Sequence, residues 1–127
     1  MENFRIVFLF LFMSNIDVSM LKKDADSGDA DAMLGYGNLL LEGQNVNMNI
    51  EEGIHYCQMS ADKGNIIAMI KIAKLYDNPK GTESDKRLSA YYYKKAADNG
   101  NAKSMFQYAR KLDKGDGIEA NKTEAYH

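Results

Sequence analysis

The amino-acid sequence predicts an all-α fold built from helix pairs repeated along the chain, on three observations. The composition favours helix, with one Pro and no Trp beside many Ala, Leu, Met, Lys and Glu. A period of 36 residues runs through the chain: Ala25-Asp26-Ser27-Gly28 recurs as Ala61-Asp62-Lys63-Gly64 and again as Ala97-Asp98-Asn99-Gly100. Inside each period the apolar residues follow helical spacing rather than the alternation of a strand. The repeat is well beyond chance. Residues 25–55 and 97–127 share eleven identities in 31 columns, where unrelated sequences of this composition share about two.

The elements follow in order from the N-terminus. Ile6 to Met13 are eight residues without a polar side chain, short of the roughly 20 that a membrane-spanning helix needs. Residues 1–15 read either as a cap packing on the first helix or as the apolar region of a signal peptide. Against the second reading, Glu2 offsets Arg5 and no small-x-small cleavage site follows. Residues 16–24, through Val18-Ser19-Met20-Leu21, form a partial unit that supplies a second helix only. Full units span 25–60 and 61–96, and a partial third unit spans 97–127, so both ends cut through a repeat as in a piece of a longer solenoid.

Each unit opens with a helix whose stripe falls at i, i+3, i+4 and i+7: Met33, Tyr36, Gly37, Leu40, then Met69, Ile72, Ala73, Tyr76, then Met105, Tyr108, Ala109, Leu112. The third column is always small, which places the tight helix crossing there. Asp29, Asn65 and Asn101 precede these helices as N-caps, and Gly43, Pro79-Lys80-Gly81 and Gly115-Asp116-Gly117 end them. Second helices run through Ile54 to Met59, where Gly53 is expected to weaken the helix, and through Leu88 to Ala97. Gly28, Gly64 and Gly100 then fall just past helix ends, where a left-handed residue is needed.

Ala90, Tyr93, Lys95, Ala96, Ala97, Gly100, Asn101 and Ala102 give the pattern A-x-x-Y-x-K-A-A-x-x-G-N-A, and Tyr108-Ala109, Leu112 and Gly115-Asp116-Gly117-Ile118 complete a first-helix pattern. With its 36-residue period the chain resembles the Sel-1-like repeat family, related to the tetratricopeptide repeat. The resemblance implies a right-handed α-solenoid of antiparallel helix pairs, working as an adaptor in protein complexes. A cysteine-rich bacterial branch of that family carries a disulfide in each repeat and is linked to β-lactam binding. Cys57 stands alone, so that branch does not fit.

The residues themselves offer little chemistry. The net charge of −2 argues against an unaided nucleic-acid binder, and 45% hydrophobic residues is too many for a disordered chain. His55 and His127 share a repeat column without convergent metal ligands beside them. His55 and Cys57 stand at i and i+2 of a helix and point apart, and Cys57 shares the inward column of Tyr93. Of Tyr91, Tyr92 and Tyr93, at least one must face outward. Asn121-Lys122-Thr123 is a glycosylation sequon, relevant only to a secreted chain. No enzyme activity, cofactor or metal is expected, and the cytoplasm is the default location.

Charge is where the units differ. Residues 25–60 carry six acidic side chains and no Lys or Arg, whereas residues 61–96 carry eight basic and four acidic ones. In solenoids related to the tetratricopeptide repeat the first helices line the concave face. There the columns Asn38, Lys74, Arg110 and Gly35, Lys71, Gln107 stack into a ribbon. The expectation is that Lys71, Lys74 and Arg110, with Lys103 and Lys111 nearby, receive an acidic segment of a partner protein. The alternatives are an accessory repeat region of a larger enzyme or signalling protein, and self-association through solenoid ends.

Overall fold

The computed structural model describes residues 18–115, and these residues form six helices and no strand. They are α1 over 18–26, then α2 (Ala30–Glu42), α3 (Ile50–Asp62), α4 (Ile66–Tyr76), α5 (Glu83–Asp98) and α6 (Ala102–Lys114). The apolar N-terminal segment, the Asn121 sequon, His127 and the end of the third unit lie outside the described residues. Two compact units divide the chain, Met1–Lys63 and Gly64–His127.

Local chemistry explains where the helices begin and end. Asp29, Asn65 and Asn101 each hold extended backbone, and their side chains accept from Ala32 N at 3.0 Å, Ala68 N at 3.0 Å and Ser104 N at 2.8 Å. Each satisfies one of the donors that a helix start leaves open. Asn49 caps α3 in the same way, and Thr82 with Asp85 forms a reciprocal capping box on α5. Gly28, Gly64 and Gly100 have φ of 107°, 97° and 96°, a conformation glycine adopts without the Cβ clash.

In the first unit, α1 and α2 pack with α3 around Ala25, Ala32, Met33, Tyr36, Leu40 and Tyr56, with Val18 and Leu21 of α1 against that cluster. Tyr36 and Tyr56 meet edge to face, 4.9 Å between centroids. Helices α2 and α3 cross at two glycines. A Cβ on Gly37 would lie 2.7 Å from Cys57 Sγ and 2.9 Å from the Gly53 carbonyl oxygen, and one on Gly53 would lie 3.0 Å from the Gly37 carbonyl oxygen. Gly53 therefore corrects its expected role: it runs inside a regular helix and gives α2 its close approach.

In the second unit, α4 packs on α5 and α5 on α6. Met69 and Ile72 are buried almost completely, each contributing roughly 1.5–3 kcal/mol relative to exposure. The columns of Gly37 and Gly53 hold Ala73 and Ser89 here, and the buried Ser89 hydroxyl donates to the Ala73 carbonyl at 2.8 Å. Tyr91 points outward, while Tyr92 and Tyr93 are buried. The Met column breaks its pattern in α6, since Met33 and Met69 are buried but Met105 is 48% exposed. Among the described residues no helix follows α6 to cover that face.

Candidate partner-binding groove

Helices α4 and α6 are both first helices of a repeat, and between them lies a groove of about 390 Å3. Ile70 and Lys74 come from α4, Lys103, Ser104 and Gln107 from α6, and Tyr93 of α5 and the cap residue Asn101 complete the lining. Tyr93 and Ser104 are buried, whereas Lys74 and Lys103 are exposed. The groove thus has a closed floor and a cationic rim. Gln107 also lines a smaller adjoining cleft of about 60 Å3, with Asp77, Arg110, Lys111 and Lys114.

The five cations singled out from the sequence fall into three groups. Lys74 and Lys103 share the groove. Arg110 lines the cleft, with its guanidinium 5.9 Å from the Phe106 ring centroid and one nitrogen donating to Gln107 Oε1 at 3.3 Å. Lys71 is half-buried on α4 and lines neither cavity.

Lys111 departs from expectation. It is 4% exposed, its ammonium donates to Asp77 Oδ1 at 2.9 Å, and it lies 5.7 Å from the centroid of the Tyr93 ring. A buried lysine already paired with a carboxylate is not part of a surface ribbon. Burial first, and then the charge of Asp77 and a hydrogen bond to it, push the Tyr93 phenol up, with Arg110 pulling it partly back. Tyr93 therefore stays a neutral donor, and Asp77 receives both it and Lys111. The Lys111 column holds Leu39 and Leu75 in the other units, but Leu75 is 41% exposed, so the column carried no signal of burial. Lys114, which lines the cleft, escaped the sequence reading because it follows the end of the apolar stripe.

Neither His55 nor Cys57 builds a catalytic site with the other. His55 is exposed, while Cys57 is fully buried at the α2–α3 crossing. Among the described residues there is no group of three or more His, Cys, Asp or Glu able to hold a metal ion. Among the same residues, no helix is long and apolar enough to cross a membrane.

Comparison with protein families matches the Sel1 repeat over residues 30–65, 66–101 and 102–127. The chain belongs to the Sel1 repeat family. Among solved structures it is similar to a Sel1 repeat protein from Oxalobacter formigenes, with 29% identity, a TM-score of 0.74, and coverage of 86% of this chain and 82% of that one. It is also similar in fold to a protective antigen present in uropathogenic Escherichia coli strains, which displays an SLR fold. There the identity is 24% and the TM-score 0.72, over 85% of this chain and 23% of that one. Comparison with curated proteins finds no match. The fold class is the α-solenoid of helix pairs that Sel1 repeats form, and Sel1 repeat proteins generally mediate protein–protein interaction.

Proposed function

We propose that this Sel1 repeat chain is a non-catalytic interaction module that receives an acidic segment of a partner protein in the α4–α6 groove. The observation that carries the reading is that Lys74 and Lys103 project from two successive first helices onto one groove and make no ion pair among the described residues. Other lysines of the same unit are engaged, Lys94 with Asp98 and Lys111 with Asp77. Arg110 extends the cationic rim along α6, and its planar donor fork suits a carboxylate. Lys71, one turn before Lys74, adds charge at half-burial.

The test is a titration of a fluorescent glutamate-rich peptide against the chain, alongside Lys74→Glu/Arg110→Glu. Both substituted residues are exposed, so helicity by circular dichroism is expected to hold while affinity falls at least tenfold. Binding is also expected to weaken with salt, since exposed charges are screened over about 10 Å at 0.1 M. A peptide bound equally by the variant overturns the proposal.

A further inference from the structure

The groove has a candidate occupant within this same amino-acid sequence. We infer that a second copy of the chain docks the acidic turn between its α1 and α2 onto the α4–α6 groove, an inference that rests on the groove reading above. The charge asymmetry is large: residues 25–60 carry six acidic side chains and no Lys or Arg, against eight basic and four acidic ones over 61–96. The acids concentrate at one place. Asp24, Asp26, Asp29 and Asp31 all lie on or beside the turn at 27–29, all four exposed, and they outnumber the bases beside them, Lys22 and Lys23 of α1 and Lys63, whose ammonium lies near Gly28.

Two of these acids are already held in position. Asp26 accepts the Tyr56 hydroxyl at 2.6 Å and Asp29 accepts the Ala32 amide at 3.0 Å. A carboxylate has about four acceptor sites on its two oxygens, so each keeps capacity for an incoming lysine. Because their rotamers are fixed beforehand, docking loses less side-chain entropy than it would on a mobile loop. On the other side, Lys74 and Lys103 make no ion pair among the described residues. Opposite charges of this kind steer encounter and set register.

The two surfaces differ, so the contact is heterologous. A copy that fills its neighbour's groove still presents an open groove of its own, and association runs head to tail rather than stopping at a symmetric pair.

Sedimentation of the whole chain over a range of concentrations at low and high salt tests this. The wild type is expected to exceed dimer mass as concentration rises at low salt, and to return to monomer at high salt. Lys74→Glu/Lys103→Glu, which spoils the groove, and Asp24→Lys/Asp31→Lys, which spoils the turn, are each expected to remain monomeric. Asp24→Lys alone serves if the double turn variant loses helicity. Mixed in equal amounts, the groove and turn variants pair wild-type surfaces at one contact and charge-reversed surfaces at the other, and are expected to assemble again at low salt. A monomeric wild type, a single variant that still assembles, or a mixture that stays monomeric overturns the inference. The glutamate-rich peptide separates the two readings. If it binds the wild type and not the groove variant while the wild type stays monomeric, the groove reading stands and only self-docking falls. If it binds neither, both fall.

Discussion

The α2–α3 and α4–α5 crossings occupy the same columns of the repeat and solve one packing problem in two ways. Between α2 and α3 the columns hold Gly37 and Gly53, whose backbones come so close that any Cβ meets a carbonyl oxygen within 3.0 Å. The neighbouring inward column then has room for the small Cys57. Between α4 and α5 the columns hold Ala73 and Ser89, a hydroxyl bridges to the facing carbonyl, and the inward column takes Tyr93. All three columns carry the smaller residue in the first crossing, so close backbone approach there takes the place of the side-chain volume that fills the second, as interiors packed at crystal-like density require. The polar contacts differ too. Tyr56 with Asp26 ties α3 to α1, and Lys111 with Asp77 ties α6 to the end of α4.

The largest expected effect breaks the second unit at its buried charge. Asp77→Ala leaves the Lys111 ammonium inside without its counterion and is expected to cost about 3 kcal/mol, read from the urea midpoint. Lys111→Leu restores the residue type of its column and is expected to cost under about 1 kcal/mol, because Asp77 is partly exposed and is taken up by water. Equal losses from the two substitutions contradict the assignment of the burial cost to lysine.

Next comes the crossing itself. Cys57→Tyr forces a large ring into the glycine crossing and is expected to cost about 3 kcal/mol through overpacking. Adding Gly37→Ala and Gly53→Ser converts the first unit to the solution used by the second, and is expected to recover at least half of that loss. The triple variant measured against the sum of its parts, in a mutant cycle, decides whether the columns are coupled. Ser89→Ala removes one buried hydroxyl bond and is expected to cost about 1 kcal/mol.

Alkaline stability gives the smallest and most specific contrast. The hydrogen bond to Asp26, aided by burial, pushes the Tyr56 phenol well up, whereas burial is the leading cause for Tyr93. Both phenols hold their protons in the folded state beyond the pH of about 10 at which an unfolded tyrosine ionises. Their contribution is therefore complete below pH of about 10 and is lost as pH rises above it. Tyr56→Phe is expected to flatten the alkaline fall of the thermal midpoint more than Tyr93→Phe. Asp26→Asn is expected to reproduce most of the Tyr56 effect, while Asp77→Asn leaves most of the Tyr93 effect in place.

Much of the fold was legible because the signals are local. A cap residue, an apolar stripe and a glycine beyond the helix end act within one or two turns, so Asp29, Asn65 and Asn101 could be read directly. Gly53 was misread because its use depends on Gly37, 16 residues away, and propensity alone sees only the weakened helix. The candidate site was half legible. Lys74, Lys103 and Arg110 follow from helical geometry, but the burial of Lys111 depends on Asp77 and Tyr93, which converge on it only in three dimensions. The Ser89 bridge left no trace in the pattern, since a serine among alanines reads as neutral.

The joints between units carry a consequence of their own. At Gly28 and at Gly100 the glycine amide bonds back three residues, to Ala25 and Ala97, and the next amide bonds back five, to Asp24 and Ala96. The cap that starts the following helix is the residue bearing that second bond. The backbone hydrogen bonds of such a joint are thus all made within a few consecutive residues. Insertion or deletion of a whole 36-residue unit at these positions keeps the pattern of those backbone bonds, so gene duplication can lengthen or shorten the chain in finished pieces.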